Sequence, residues 1–128
     1  MKILGVGVDI VKNNRFKILT RKGNFILRTF SKNEINFSKN KNMKIAFFAK
    51  RFAAKESFSK SLGTGIRDNL NFKDIEVLND KFGKPYFRKT KKIDNLIYKK
   101  FKVKRYDLFL SISDEKDYSI AFTIIQKQ

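Results

Sequence analysis

With 128 residues, 41% of them hydrophobic and 33% charged, the chain is sized and composed for one globular domain with an ordinary core, not for a disordered segment. It has neither Cys nor His, which excludes disulfides, thiolate chemistry and imidazole bases, so any metal site must be built from oxygen ligands, as magnesium, manganese or calcium prefer. The net charge of +18 favours polyanions (nucleic acid, an anionic membrane, a phosphorylated cofactor, an acidic protein), although compositional bias toward Lys, Asn, Ile and Phe is an alternative source of that charge.

Ile3 to Val11 alternates as a strand. One face carries Ile3, Gly5, Gly7, Asp9 and Val11, and the other carries Leu4, Val6, Val8 and Ile10. The first residues lack the long apolar stretch and cleavage site of a signal peptide, and no run approaches the ~20 apolar residues of a membrane span. No membrane span and a cytoplasmic location are therefore expected. Asn13 to Arg28 reads as a basic amphipathic helical stretch broken at Gly23. Ser31 with Glu34 three residues on is a capping-box signal for a helix starting near Lys32. Met43 to Leu62 is the clearest helix, with Ile45, Phe48, Phe52 and Phe58 on its apolar side and Gly63 and Gly65 at its end. Asp74 to Asn79 is expected as a short strand, 80–83 as a turn, and Lys84 to Arg88 as the return, with Pro85 suited to an edge. Asp94 to Phe101 reads as a helix, and Leu108 to Ser113 with Tyr118 to Ile125 as a closing hairpin. Helices with mostly antiparallel strands make an α+β fold, as one domain over residues 1–128.

Two places bear chemistry. Asp9 lies inside an apolar strand beside two glycines, which leave space on its face. A carboxylate there either caps the next turn or is held charged by a cation or hydrogen bonds. Glu56 and Lys60 stand at i and i+4 on the long helix, which makes them either an ordinary exposed ion pair or part of a polyphosphate site lined by basic residues 50, 51, 55 and 60. In the second case Asp9 and Glu56 would hold the metal that bridges the phosphates. Gly5-Val6-Gly7 is not a dinucleotide fingerprint, since Ile10 stands where its third glycine belongs, and Gly63-Thr64-Gly65 is not a Walker loop.

Taken together, Gly5-Val6-Gly7-Val8-Asp9-Ile10, Arg51-Phe52-Ala53-Ala54-Lys55-Glu56, Ser59-Lys60, Gly63-Thr64-Gly65, Asp74-Ile75-Glu76-Val77, Gly83-Lys84-Pro85-Tyr86, Ser111-Ile112-Ser113 and Asp117-Tyr118-Ser119-Ile120-Ala121 resemble the holo-acyl-carrier-protein synthase family of phosphopantetheinyl transferases, end to end and in order. The resemblance implies a small domain whose mostly antiparallel sheet packs on a long central helix. It implies transfer of the phosphopantetheine arm of coenzyme A to a serine of apo-acyl carrier protein, in support of fatty acid and lipid synthesis, with adenosine 3',5'-bisphosphate released. By the same resemblance Asp9 and Glu56 hold Mg2+ (or Mn2+), and Asp9, Glu56 and Lys60 form the catalytic set. Arg51, Phe52, Lys55, Ser59, Lys60, Gly63, Thr64, Gly65, Lys84, Pro85 and Ser111 are the expected coenzyme contacts. Homotrimers with active sites between subunits are implied as well. Without His, the base that activates the serine is Glu56 or a water at the metal. Arg15, Arg21, Lys22 and Arg28, with Phe25 and Ile26 among them, are the candidate landing surface for an acidic carrier protein, and no nucleic-acid partner is expected.

One departure stands out. The family usually has histidines near the serine strand, whereas here Asp114 follows Ser113 and Phe109 stands near the other histidine position. A member that has lost catalysis and only binds carrier protein is therefore one rival. The other is a small basic nucleic-acid-binding protein, which would explain the charge and the 14 Phe residues.

Overall fold

A computed structural model describes residues 1–42, 44–63 and 70–128. The chain runs β1 (Lys2–Lys12), α1 (Arg15–Leu19), α2 (Phe25–Thr29), α3 (Lys32–Ser38), α4 (Lys44–Ser61), a 3-10 turn (Phe72–Asp74), β2 (Val77–Asn79), β3 (Pro85–Phe87), α5 (Lys91–Phe101), β4 (Tyr106–Asp114) and β5 (Tyr118–Lys127). An antiparallel sheet in the order β1-β5-β4 carries the long strands, and β2 and β3 form a separate hairpin. This is the expected mix of helices and antiparallel strands, with α4 laid along one face of the sheet.

The closeness of that packing explains Gly5 and Gly7. A Cβ on Gly5 would lie 1.9 Å from the carbonyl oxygen of Ser61, and one on Gly7 would lie 1.9 Å from that of Ser57. The face expected to hold open space is instead filled by the backbone of α4, which only glycine lets approach so near. Ser57 Oγ closes the contact with a 2.6 Å hydrogen bond to Thr123 Oγ1 of β5. Phe16, Phe30, Phe58, Ile75, Ile97 and Ile125 are fully buried around α4. Removing such a ring, as in Phe58→Ala, typically costs about 3–5 kcal/mol.

Local signals explain most boundaries. Gly23, at φ +36°, splits the basic stretch into two short helices. The capping box forms: Glu34 N donates to Ser31 Oγ at 3.2 Å and Ser31 N donates to Glu34 Oε1 at 2.9 Å. Thr90 Oγ1 accepts from Ile93 N at 3.2 Å and starts α5 three residues ahead of the expected Asp94. The strand expected from Asp74 begins only at Val77. Asp74 instead accepts from Asn71 N at 3.0 Å and pairs with Lys92 at 2.8 Å, so a local turn wins over the ladder there. Met43, the expected start of the long helix, lies outside the described residues, as do Thr64 and Gly65.

The other face of the sheet is apolar and open. Register places Val8, Phe122 and Ser111 in one row and Ile10, Ile120 and Ser113 in the next. Val6, Val8, Ile10, Phe109, Ile120 and Phe122 are each at least 40% exposed.

Candidate active site

Asp9 projects from β1 toward α4, where Lys60 Nζ donates to its Oδ1 at 2.9 Å. Asp9 is mostly covered, with 14% of its side chain exposed, whereas Lys60 reaches into solvent with 54% exposed. The hydrogen bond to Asp9 holds the Lys60 ammonium above its ordinary range. Glu56, one turn before Lys60, is half-buried. Burial pushes its carboxyl up, and the negative charge of Asp9 pushes it the same way, against the opposing pull of Lys60 and Arg15. Strand and helix thus bring two carboxylates and one ammonium together, and the carboxylates repel each other.

That arrangement suits a divalent cation, which would relieve the repulsion. Among the described residues no group of three or more His, Cys, Asp or Glu side chains comes together. Two carboxylates supply oxygen donors of the kind magnesium prefers, which it completes with water and substrate oxygens.

Further along α4, Arg51 is 5% exposed and its guanidinium lies 3.9 Å from the centroid of Phe47. Its Nη2 donates to Asn79 Oδ1, and Asn79 Nδ2 donates to the Gly83 carbonyl at 2.7 Å, so Arg51 ties α4 to the β2–β3 hairpin that carries Lys84 and Pro85. Arg51 Nε is buried without a partner, and burial brings this guanidinium down to about 10. Beside it opens a cleft of about 320 Å³ bordered by Lys41, Lys50, Phe47, Asn79 and Asp114. The helical rise puts Arg51 and Lys60 about 14 Å apart along the axis. Phe52 packs 5.4 Å from Phe16 and 5.3 Å from Phe72, as an aromatic wall.

Three expected coenzyme contacts sit elsewhere. Lys55 is fully buried, and Nζ spends its donors on Glu34 Oε1 at 2.7 Å and on the carbonyls of Phe72 and Ile75 at 2.8 and 2.7 Å. It has none left for a phosphate, so Lys55 belongs to the framework. Ser59 is likewise buried, at 1% exposure. Ser111 is exposed on the outer face of the sheet, the opposite side from Asp9 of its own chain. Gly63 ends α4 at φ +80°.

On the basic surface, Arg15, Arg21, Lys22 and Arg28 are exposed as expected. Phe25 and Ile26 pack inward against the core, and the apolar side chains that reach solvent there are Ile18 and Leu27, 62% and 60% exposed. Inside a two-helix stretch, periodicity alone did not separate these faces. The capping-box pattern shows Glu34 but not its bond to Lys55, and the strand pattern shows Asn79 but not its bond to Arg51, because these partners are 21 and 28 residues away in sequence. Of the Phe residues, Phe16, Phe30, Phe47, Phe48, Phe58 and Phe87 are buried in the core, whereas Phe82, Phe109 and Phe122 are exposed.

Comparison with known proteins identifies the family of the chain. The family model of the 4'-phosphopantetheinyl transferase superfamily matches residues 5–123. The holo-[acyl-carrier-protein] synthase of Pelagibacter ubique is 56% identical over 128 residues, covering 100% of both chains. The crystal structure of the Neisseria meningitidis holo-[acyl-carrier-protein] synthase superposes with a TM-score of 0.86 at 34% identity, covering 98% of this chain and 100% of that one. The Bacillus anthracis enzyme, solved in complex with CoA (3',5'-ADP), gives 0.81 at 34% identity and 98% coverage of each. The chain belongs to the 4'-phosphopantetheinyl transferase superfamily, among the holo-[acyl-carrier-protein] synthases.

Proposed function

We propose that residues 1–128 form a single transferase domain that moves the 4'-phosphopantetheine arm of coenzyme A to a serine hydroxyl of apo-acyl carrier protein. Adenosine 3',5'-bisphosphate is the leaving group. The observation that carries this reading is the cluster of Asp9, Glu56 and Lys60 at the contact of β1 and α4. Asp9 and Glu56 would hold Mg2+ or Mn2+, which when bound neutralises charge on the pyrophosphate of coenzyme A. Lys60 keeps an exposed ammonium at the site through its bond to Asp9 and offers it to a phosphate oxygen. The serine proton goes to Glu56 or to a water held at the metal, the two bases a site without His can offer. The cleft at Arg51, Lys50 and Lys41 suits the anionic nucleotide half of the coenzyme.

The apolar outer face of the sheet supports a homotrimer built by packing these faces between copies. Active sites shared between subunits would let Ser111, on the outer sheet face, reach the coenzyme site of a neighbouring copy. The acidic carrier would land on Arg15, Arg21, Lys22 and Arg28 with Ile18 and Leu27. The influence of Arg15 on Glu56 connects that surface to the chemistry. We assign the protein to fatty acid and lipid synthesis in the cytoplasm; no helix among the described residues is long and apolar enough to cross a membrane. The test is incubation with coenzyme A, Mg2+ and apo-carrier protein, read by mass spectrometry. Addition of one phosphopantetheine to the carrier is expected, and an unchanged carrier mass with metal present would refute the reading.

A further inference from the structure

The mechanism leaves one polar network unused. Glu34 Oε1 accepts from Lys55 Nζ at 2.7 Å and from Ser31 N at 2.9 Å, and its Oε2 accepts from Val77 N at 3.1 Å. Lys55 adds its two bonds to Phe72 and Ile75. Neither charged side chain has any exposed surface. Beside them Glu76 Oε2 accepts from Ser31 Oγ, and its Oε1 accepts from Arg88 Nη1 at 3.3 Å. One carboxylate and one ammonium thus join the cap of α3, the middle of α4, the 3-10 turn and the start of β2.

A buried pair of this kind is a poor source of stability, since apolar replacements of similar volume often do as well. What it fixes is orientation. Successive side chains on a helix point about 100° apart, so Lys55, Glu56 and Ser57 fan across α4. On the Ser57 side the helix is clamped by the close backbone contact at Gly7 and by the hydrogen bond to Thr123. On the Lys55 side it is clamped by Glu34. Glu56 sits between the two clamps. A roll of α4 by about 20° would move a carboxylate ~6 Å from the axis by about 2 Å. Misplacement of a reacting group by ~1 Å can cost ~100-fold in rate.

We infer that Glu34 is a positioning residue for the transfer reaction: through Lys55 it sets the roll of α4 and so aims Glu56 at the metal position it shares with Asp9. The inference rests on the proposed roles of Asp9 and Glu56. Glu34→Gln tests it, because an amide of the same shape must set a donor against the N–H of Val77 or against Lys55 and Ser31. The comparator is Ile97→Val or Ile97→Ala, whichever matches its Tm, in the core of α5, which carries no site residue. Mn2+ binding to the folded proteins is read by electron paramagnetic resonance, and kcat and KM for coenzyme A by transfer assay. Glu34→Gln is expected to bind Mn2+ ~10-fold more weakly and to lose ~100-fold in kcat with little change in KM, while the comparator keeps both. Wild-type Mn2+ affinity and kcat in Glu34→Gln, or equal losses in the comparator, would overturn it. Should Glu34→Gln not fold, Lys55→Arg carries the same readouts and criteria. Wild-type protein that bound no Mn2+ would instead strike the metal reading itself, and this inference with it.

Discussion

Glu56 is placed where a carboxylate is uncomfortable, and that discomfort is measurable. Its carboxyl is raised in the metal-free fold, chiefly by burial and then by Asp9. A group whose folded pKa lies above its unfolded value binds more protons when native, so stability falls as pH rises from the unfolded to the folded value. The full penalty is present above the folded pKa and absent below the unfolded one. Glu56→Gln removes it. Melting curves of the metal-free chain from about pH 4 to pH 8 should therefore show the variant gaining Tm relative to wild type as pH rises through the carboxylate range. The same variant should lose Mn2+ binding, because a neutral amide replaces one of two charged ligands. A Tm difference that did not change with pH would remove burial and Asp9 as the cause. This opposition between stability and function at one residue is what an assembled metal site predicts.

At the scale of elements, the contact of β1 with α4 positions everything else. Gly7→Ala puts a methyl carbon 1.9 Å from a backbone oxygen that cannot swing aside. The variant is expected to lose about 3 kcal/mol or more in chemical denaturation, and a loss near zero would show that strand and helix can separate without harm. Much at this scale is legible in the sequence. Strand β1, the cap of α3 and the body of α4 follow from alternation, a capping box and apolar spacing. What is not legible depends on distant partners. Lys55 looks like a phosphate ligand beside Glu56, and only the arrival of residues 34, 72 and 75 around it shows a framework residue. The glycines signal a close approach, yet not that the approaching group is the backbone of α4. Asp74 fits a strand by pattern but bonds its own turn and Lys92.

For the whole molecule, the outer sheet face and the charge are the large features. Val8, Ile10, Ile120 and Phe122 line an apolar face on which each is at least 40% exposed. If the proposed trimer packs through this face, Phe122→Glu should leave monomers in light scattering behind size exclusion where the wild type gives trimers. It should also lower transfer strongly, although Phe122 lies across the sheet from Asp9. A monomeric variant with wild-type turnover would refute active sites between subunits. The closeness of Asp9 to Glu56 and Lys60 is foreshadowed in the sequence by the motifs that carry them, whereas the absence of His leaves the base open between Glu56 and a water at the metal. The central claim is that Asp9 and Glu56 run phosphopantetheine transfer on this fold. Its most direct measurement is the mass of apo-carrier protein after incubation with coenzyme A, Mg2+ and, in parallel, the wild-type chain, Asp9→Ala or Glu56→Ala. The account predicts holo-carrier with the wild type and a rate lower by at least ~100-fold with either folded variant. Holo-carrier formed at near-normal rates by either variant, or none formed by the wild type, would contradict it.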